Sequence, residues 1–274
     1  MVANPSPVKH FLIASDFDQT LSFNDSGAVL SEIMGVSGFH EKVAGLARSN
    51  LVHQGGELAY LIRHDPEFRR VRKEHLSEAG RRVRLRSDIP ALIEFLHRGV
   101  EGYRFSYFVV SAAPQEVIQA ALDGIVPADH VFGTELDYDP SGEVRSILRV
   151  PAGYGKVSVL EELESRLSIE PGRTVYVGDG SSDVHVMLHV NNRDGFTIAV
   201  SENRMLARIA RSTVLSDSAF GVAVPILEHV VGWSAGRIRH EFESYGLTLH
   251  DWEKARTDRL TVREASTALG EAAV

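Results

Sequence analysis

Residues 11–20 read Phe11-Leu12-Ile13-Ala14-Ser15-Asp16-Phe17-Asp18-Gln19-Thr20, and the expected fold is built outward from them. Phe11–Ala14 is a short apolar run without polar alternation, the pattern of a strand buried on both faces. Two acids follow, two positions apart. On an extended chain such side chains point to one side, so Asp16 and Asp18 are expected to converge at the carboxyl end of a sheet. Open α/β sheets bind ligands at that edge. Two close carboxylates repel unless a cation or a proton sits between them. Asp16 is therefore a candidate nucleophile toward phosphorus. A protonated Asp18 can donate to the leaving oxygen and later activate water. Taken alone, the same residues also fit a strand that ends in an Asx turn.

Three more runs share the pattern of the first: Tyr107–Val110, Thr174–Val177 and Phe196–Val200. Between them lie helical patterns at Ile89–Arg98, Pro114–Leu122, Lys156–Leu167 and Val184–Val190, the first with Ser87 or Asp88 as its cap. Alternation of this kind predicts an α/β protein with a three-layer core, a parallel sheet between two layers of helices. From Asn24 to Ser87 only helical patterns occur, broken at Gly35, Gly38 and Gly55-Gly56. A small helical cap inserted after the first strand is expected there. The expected boundaries are a core over 1–22 and 89–231, a cap over 23–88 and a helical C-terminal extension over 232–274, including Trp252–Leu260.

Three further places carry chemistry. Ser111 ends the run Phe108-Val109-Val110, where a hydroxyl can donate to a phosphate oxygen beside backbone N–H groups; a plain N-cap is the alternative. Lys156 lies in Gly153-Tyr154-Gly155-Lys156, where it can neutralise an attacking carboxylate and phosphoryl oxygens together, or be a solvated surface lysine. Val177-Gly178-Asp179-Gly180-Ser181-Ser182-Asp183 empties a buried strand into two acids. Hard oxygen ligands without His or Cys suit Mg²⁺, which keeps waters and binds substrate phosphate.

An acid pair, a serine, a lysine and a second acid pair, in that order at strand ends and helix starts, resemble the four motifs of the haloacid dehalogenase superfamily. The resemblance covers residues 10–225. It implies a Rossmann-like core, catalytic roles for Asp16, Asp18, Ser111 and Lys156, and an aspartyl-phosphate intermediate. It also implies Mg²⁺ held by Asp16, the Asp18 carbonyl and Asp179, with Asp183 acting through the water shell. Gly-Asp-Gly-x-x-Asp and Asp-Phe-Asp are most similar to the phosphoserine-phosphatase branch. There Asp25 stands in place of a lid glutamate that contacts the substrate amine, and Arg48 near a carboxylate-binding arginine. His53 is a further residue of the expected lid pocket. Ala112-Ala113 after Ser111 departs from the two glycines of that branch, which places Ala112 beside the substrate and makes the phosphate loop bulkier.

The chain has 274 residues, 43% hydrophobic and 24% charged, with a formal net charge of −8 and no cysteine. The negative field makes nucleic acid an unlikely partner, and the absence of cysteine excludes thiol chemistry. No run is long enough to span a bilayer, so a cytoplasmic protein, monomer or homodimer, is expected. The expected function is a Mg²⁺-dependent phosphatase of a small phosphorylated metabolite, with phosphoserine as one substrate. The alternatives are a phosphomutase of the same superfamily and a non-catalytic regulator binding RNA or another anion. The regulator would use the basic stretch Phe68–Arg86, which otherwise reads as a solvated helix face.

Overall fold

A computed structural model describes residues 8–249, apart from 50, 51 and 53. His53 and Trp252–Leu260 thus lie outside the described residues. The chain divides into two compact units, Met1–Ser234 and Ala235–Val274. In the second, Ala235–Ser244 forms a helix. The first unit holds the sheet and the cleft.

Its centre is a seven-stranded sheet in the order β4-β3-β2-β1-β5-β6-β7. The strands are β1 (Lys9–Ser15), β2 (Tyr103–Pro114), β3 (Val131–Tyr138), β4 (Val144–Arg149), β5 (Thr174–Gly178), β6 (Phe196–Ala199) and β7 (Ser212–Thr213). Leu12, Ile13 and Ala14 are wholly buried because β1 has a parallel neighbour on each side, β2 and β5. Strand order reverses at β1, so a crevice opens at the carboxyl ends of β1 and β5. The acids of both motifs follow those two strands directly.

The sheet is parallel except at one edge, where β4 runs antiparallel to β3. That hairpin is absent from the sequence expectation. β3 mixes buried and half-buried positions and β4 only half-buried and exposed ones, and an unbroken apolar run is the wrong signature for such an edge. β2 is also longer than expected, running through Ser111 to Pro114 with a break in register between Val110 and Pro114.

Helices α1 (Ser26–Met34), α2 (Phe39–Ser49), α3 (Glu57–His64) and α4 (Lys73–Arg82) fill the span between β1 and β2, followed by α5 (Ile89–Arg98). Leu30, Phe39, Ile62, Phe68 and Leu76 are buried among them. α4 packs on α6 (Gln115–Ala121), and Gly80 makes that approach possible, since a Cβ there would lie 2.3 Å from the Val117 carbonyl oxygen. α7 (Tyr154–Leu167) and α8 (Val184–Asn192) cover one sheet face through Leu160, Leu163, Val186, Met187 and Val190. Asp88 does not cap α5 as expected. It sits in the left-handed region at φ 63°, and its carboxylate accepts from the Ser218 hydroxyl at 2.7 Å.

The basic stretch is largely occupied within the protein. Arg72 pairs with Glu143, and Arg81 and Arg82 pair with Glu78; Arg84 and Arg86 lie over the Phe23 ring. Among the described residues, no helix is long and apolar enough to cross a membrane.

Candidate active site

At the end of β1 the chain leaves the sheet, and the two acids of the first motif diverge. Asp16 is buried, and one of its oxygens accepts from the Phe17 N–H at 2.7 Å. Asp18 turns toward the start of α1, where its oxygens accept from the Ser26 N–H at 2.9 Å and the Ser26 hydroxyl at 2.7 Å. Burial, then the nearby charge of Asp25, push the Asp18 carboxyl well above the ordinary carboxylate range, which favours its protonated form. A residue that can give up this proton and take it back has the property of a general acid–base.

Lys156 is the fully buried centre of the site. Its Nζ lies 2.8 Å from an Asp16 oxygen and 2.6 Å from Asp183 Oδ1. Burial opposes its charge, but the two carboxylates outweigh burial and keep it an ammonium. The surface-lysine alternative is thereby overturned: the first turn of α7 points inward, onto the crevice.

Asp183 is also fully buried, and both of its oxygens serve protein donors. Oδ1 accepts from Lys156 and, at 2.7 Å, from the Tyr176 hydroxyl; Oδ2 accepts from the Asp179 and Gly180 N–H groups at 3.0 and 3.1 Å. It therefore fixes the loop that carries Asp179. Gly178 permits this approach, because a Cβ there would stand 2.5 Å from the Asp183 carboxylate. The Ser201 hydroxyl donates to the Asp179 carbonyl, and Thr20 Oγ1 donates to Asp179 Oδ1 at 3.4 Å. Burial first, then Asp16 and Asp183, push the Asp179 carboxyl up to about 8.

Asp16, Asp179 and Asp183 each offer an oxygen within 4.8 Å of the others. The donors are hard oxygens, and the raised Asp179 marks a site short of positive charge, so the cluster fits a divalent cation. Ser111 is buried beside Asp16, whose charge its hydroxyl stabilises. Its Oγ accepts from the Ala113 N–H at 3.3 Å, and the α6 N-terminus has no side-chain cap, so the simple N-cap alternative does not hold.

A cleft of about 330 Å³ lies over these groups. Asp16, Asp18, Ser111, Ala112 and Asp179 line its core side; Asp25, Phe39, Val43 and Glu57 are on the inserted helices. Asp25 also caps α1, accepting from the Gly27 and Ala28 N–H groups. Arg48 is exposed in the last turn of α2 and is not part of the lining, which that helix provides through Phe39, His40, Val43 and Ala47.

Several contributors escaped the sequence reading. Tyr176 is polar inside an apolar strand, and that mismatch was the available signal. Thr20 is the threonine of the first motif. Arg86 donates to the Gln19 carbonyl at 3.1 Å and to the Ser216 carbonyl, tying the first-motif loop to a distant segment. Glu57 carries no local signal at all.

The fold and site define an α/β protein with a buried cluster of acids and a lysine at the carboxyl edge of its sheet. The model of the haloacid dehalogenase-like hydrolases matches residues 13–188, and the chain belongs to that family. Among solved structures it is similar to a substrate-bound phosphoserine phosphatase complex, at 20% identity and a TM-score of 0.63, covering 81% of this chain and 98% of that one. A phospho-aspartyl intermediate analogue of phosphoserine phosphatase gives 22% and 0.62, covering 81% and 99%. A HAD-family hydrolase from Salmonella enterica subsp. enterica serovar Typhi gives 16% and 0.64, covering 82% and 73%. At these identities the likeness is one of fold. Comparison with curated proteins finds no match.

Proposed function

We propose that this protein is a Mg²⁺-dependent phosphatase that hydrolyses a small phosphomonoester through an aspartyl-phosphate on Asp16. The observation that carries the reading is the buried Asp16–Lys156–Asp183 triad beside Asp179, on the floor of a cleft large enough for a small metabolite. Similarity to the phospho-aspartyl analogue of a phosphoserine phosphatase adds support.

Mg²⁺, held by Asp16, the Asp18 carbonyl and Asp179, would supply charge stabilisation for the phosphoryl oxygens. Asp16 attacks phosphorus while the bond to the leaving alcohol oxygen breaks, and Asp18 gives that oxygen its proton. Water then attacks the phosphorus of the acyl phosphate, Asp18 takes back a proton, and inorganic phosphate and the Asp16 carboxylate are released. Lys156 remains charged throughout, and Ser111 is placed to donate to a phosphoryl oxygen. Asp183 and Tyr176 hold the lysine and the Asp179 loop in place.

The test is turnover of p-nitrophenyl phosphate with Mg²⁺. Asp16→Asn, which keeps the size and polarity of the side chain, is expected to lose at least about 10⁴-fold in kcat. Undiminished turnover in that variant would end the proposal.

A further inference from the structure

The turn that leaves β1 carries much of the proposed chemistry. Within residues 17–22 it presents the Asp18 carboxyl, the Asp18 carbonyl and the Thr20 hydroxyl that donates to Asp179. It is tightly wound: the Phe17 carbonyl accepts from the N–H groups of Thr20, Leu21 and Ser22 at 3.2, 2.8 and 3.1 Å. At its centre Gln19 has φ 58°, in the left-handed region that residues other than glycine rarely adopt. Such a conformation persists only where the surroundings impose it.

Both peptide groups of Gln19 are pinned. The one shared with Asp18 donates its N–H to Ser22 Oγ at 3.1 Å. On the one shared with Thr20, the carbonyl accepts from Arg86 Nη2 at 3.1 Å. Arg86 lies on the segment that returns from the inserted helices after α4, and its backbone N–H donates to the Leu21 carbonyl at 2.8 Å. Its Nη1 donates to the Ser216 carbonyl, and its Cζ stands 5.0 Å from the Phe23 ring centroid. Burial opposes its charge, while the Asp217 and Asp179 carboxylates support it. Nε is buried without a protein acceptor among the described residues. Arg86 borders a cavity of about 20 Å³ with Ser15, Thr20 and Tyr107, room for about one water. It does not line the cleft over Asp16, so it has no place against the substrate.

Resting on the phosphatase reading above, we infer that Arg86 is a positioning residue for the proton transfer: by holding the Gln19 carbonyl it fixes the turn that aims Asp18. The place calls for a planar fork, because the Gln19 and Ser216 carbonyls are met by different nitrogens of one guanidinium. A lysine keeps the charge and loses the fork. A misplacement of about 1 Å can cost about 100-fold in rate, and the step that suffers most is donation of the Asp18 proton to the leaving oxygen.

The experiment measures kcat/KM for phenyl phosphate and p-nitrophenyl phosphate with Mg²⁺, on wild type, Arg86→Lys and Arg86→Gln. Phenolate is a poor leaving group that needs the proton, whereas p-nitrophenolate departs readily without it. Each variant is expected to lose about 100-fold on phenyl phosphate and no more than about 10-fold on p-nitrophenyl phosphate. Both esters are read on one preparation, so partial unfolding or incomplete metal loading cancels from the ratio of the two losses. Equal losses on the two esters, or no loss on either, overturn the assignment. The second variant guards against a failure to fold in the first; loss of the circular dichroism signal in both makes Arg86 a folding residue and overturns it too. Asp16→Asn is run alongside. No wild-type turnover, or turnover that Asp16→Asn leaves undiminished, removes the phosphatase reading and this one with it. Turnover that Asp16→Asn abolishes, with no ester-dependent loss at Arg86, removes this one alone.

Discussion

Lys156 separates two carboxylates that would otherwise face each other in a site shielded from water. Its neighbours in sequence suggest nothing of this, since a lysine two positions into a helix is ordinarily solvated. Its burial comes from where α7 lands, over the carboxyl ends of β1 and β5. Replacing it by methionine leaves Asp16 and Asp183 uncompensated. Removing one partner of a buried charged group costs about 3–5 kcal/mol, so Lys156→Met should lower the urea midpoint markedly while the m-value stays constant. An unchanged midpoint would mean that the acids are protonated in the resting protein and that the triad is not ionic. Asp183 was legible as one acid of a candidate cation cluster, but not as the anchor of its own loop. That role depends on Tyr176, Gly178 and Lys156 converging from three elements.

At the scale of elements, the buried strands were legible because a short, continuous apolar run between polar segments suits little besides a strand covered on both faces. The β3–β4 hairpin was not, because its half-exposed residues resemble a polar loop. The helical insertion was legible from the absence of strand patterns, whereas the way it meets the core was not. α4 reaches α6 only because residue 80 is glycine. With Val117 O at 2.3 Å and the Ala120 Cβ at 2.8 Å from an added Cβ, Gly80→Ala must push the helices apart. Overpacking of this kind costs about 1–3 kcal/mol, even though alanine is the better helix former. Thermal unfolding should show a lower Tm for Gly80→Ala; a higher one would mean that helix propensity outweighs the contact and that the seam is loose.

The whole molecule concentrates acids at one end of its sheet, and its stability should register this through pH. Asp16, Asp18 and Asp179 are all raised by burial, Asp179 to about 8. Acids of this kind bind protons in the folded state that the unfolded chain has already lost. Their stabilising contribution is complete below the unfolded value near 4 and is lost as pH rises through the folded value, at about 1.4 kcal/mol per unit and group. Surface acids held low, such as Asp139 by the Ser141 hydroxyl, run the opposite way but finish titrating below about pH 6. The metal-free protein should therefore lose Tm between about pH 6 and 9. A divalent cation competes with the same protons, so Mg²⁺ should raise Tm more at pH 8.5 than at pH 6. Calorimetry with and without chelator reads both effects. A Mg²⁺ increment that is equal at the two pH values, or larger at the lower one, would contradict this account of the acid cluster.

By itself, the sequence determined the chemical inventory and its order. Short apolar runs can be stably buried only as central strands, and acids, serine and lysine placed at their ends must meet at one edge of a sheet. That reasoning is local and needs only periodicity and spacing. Tertiary structure alone decided which charges are dry, which partners they have and what the cap presents to the cleft. Burial of Lys156, the four donors around Asp183 and the placing of Glu57 at the cleft arise from contacts between residues distant along the chain or held in place by the cap. Such contacts are set by how helices pack on the sheet, and that packing leaves no periodic trace in the order of residues.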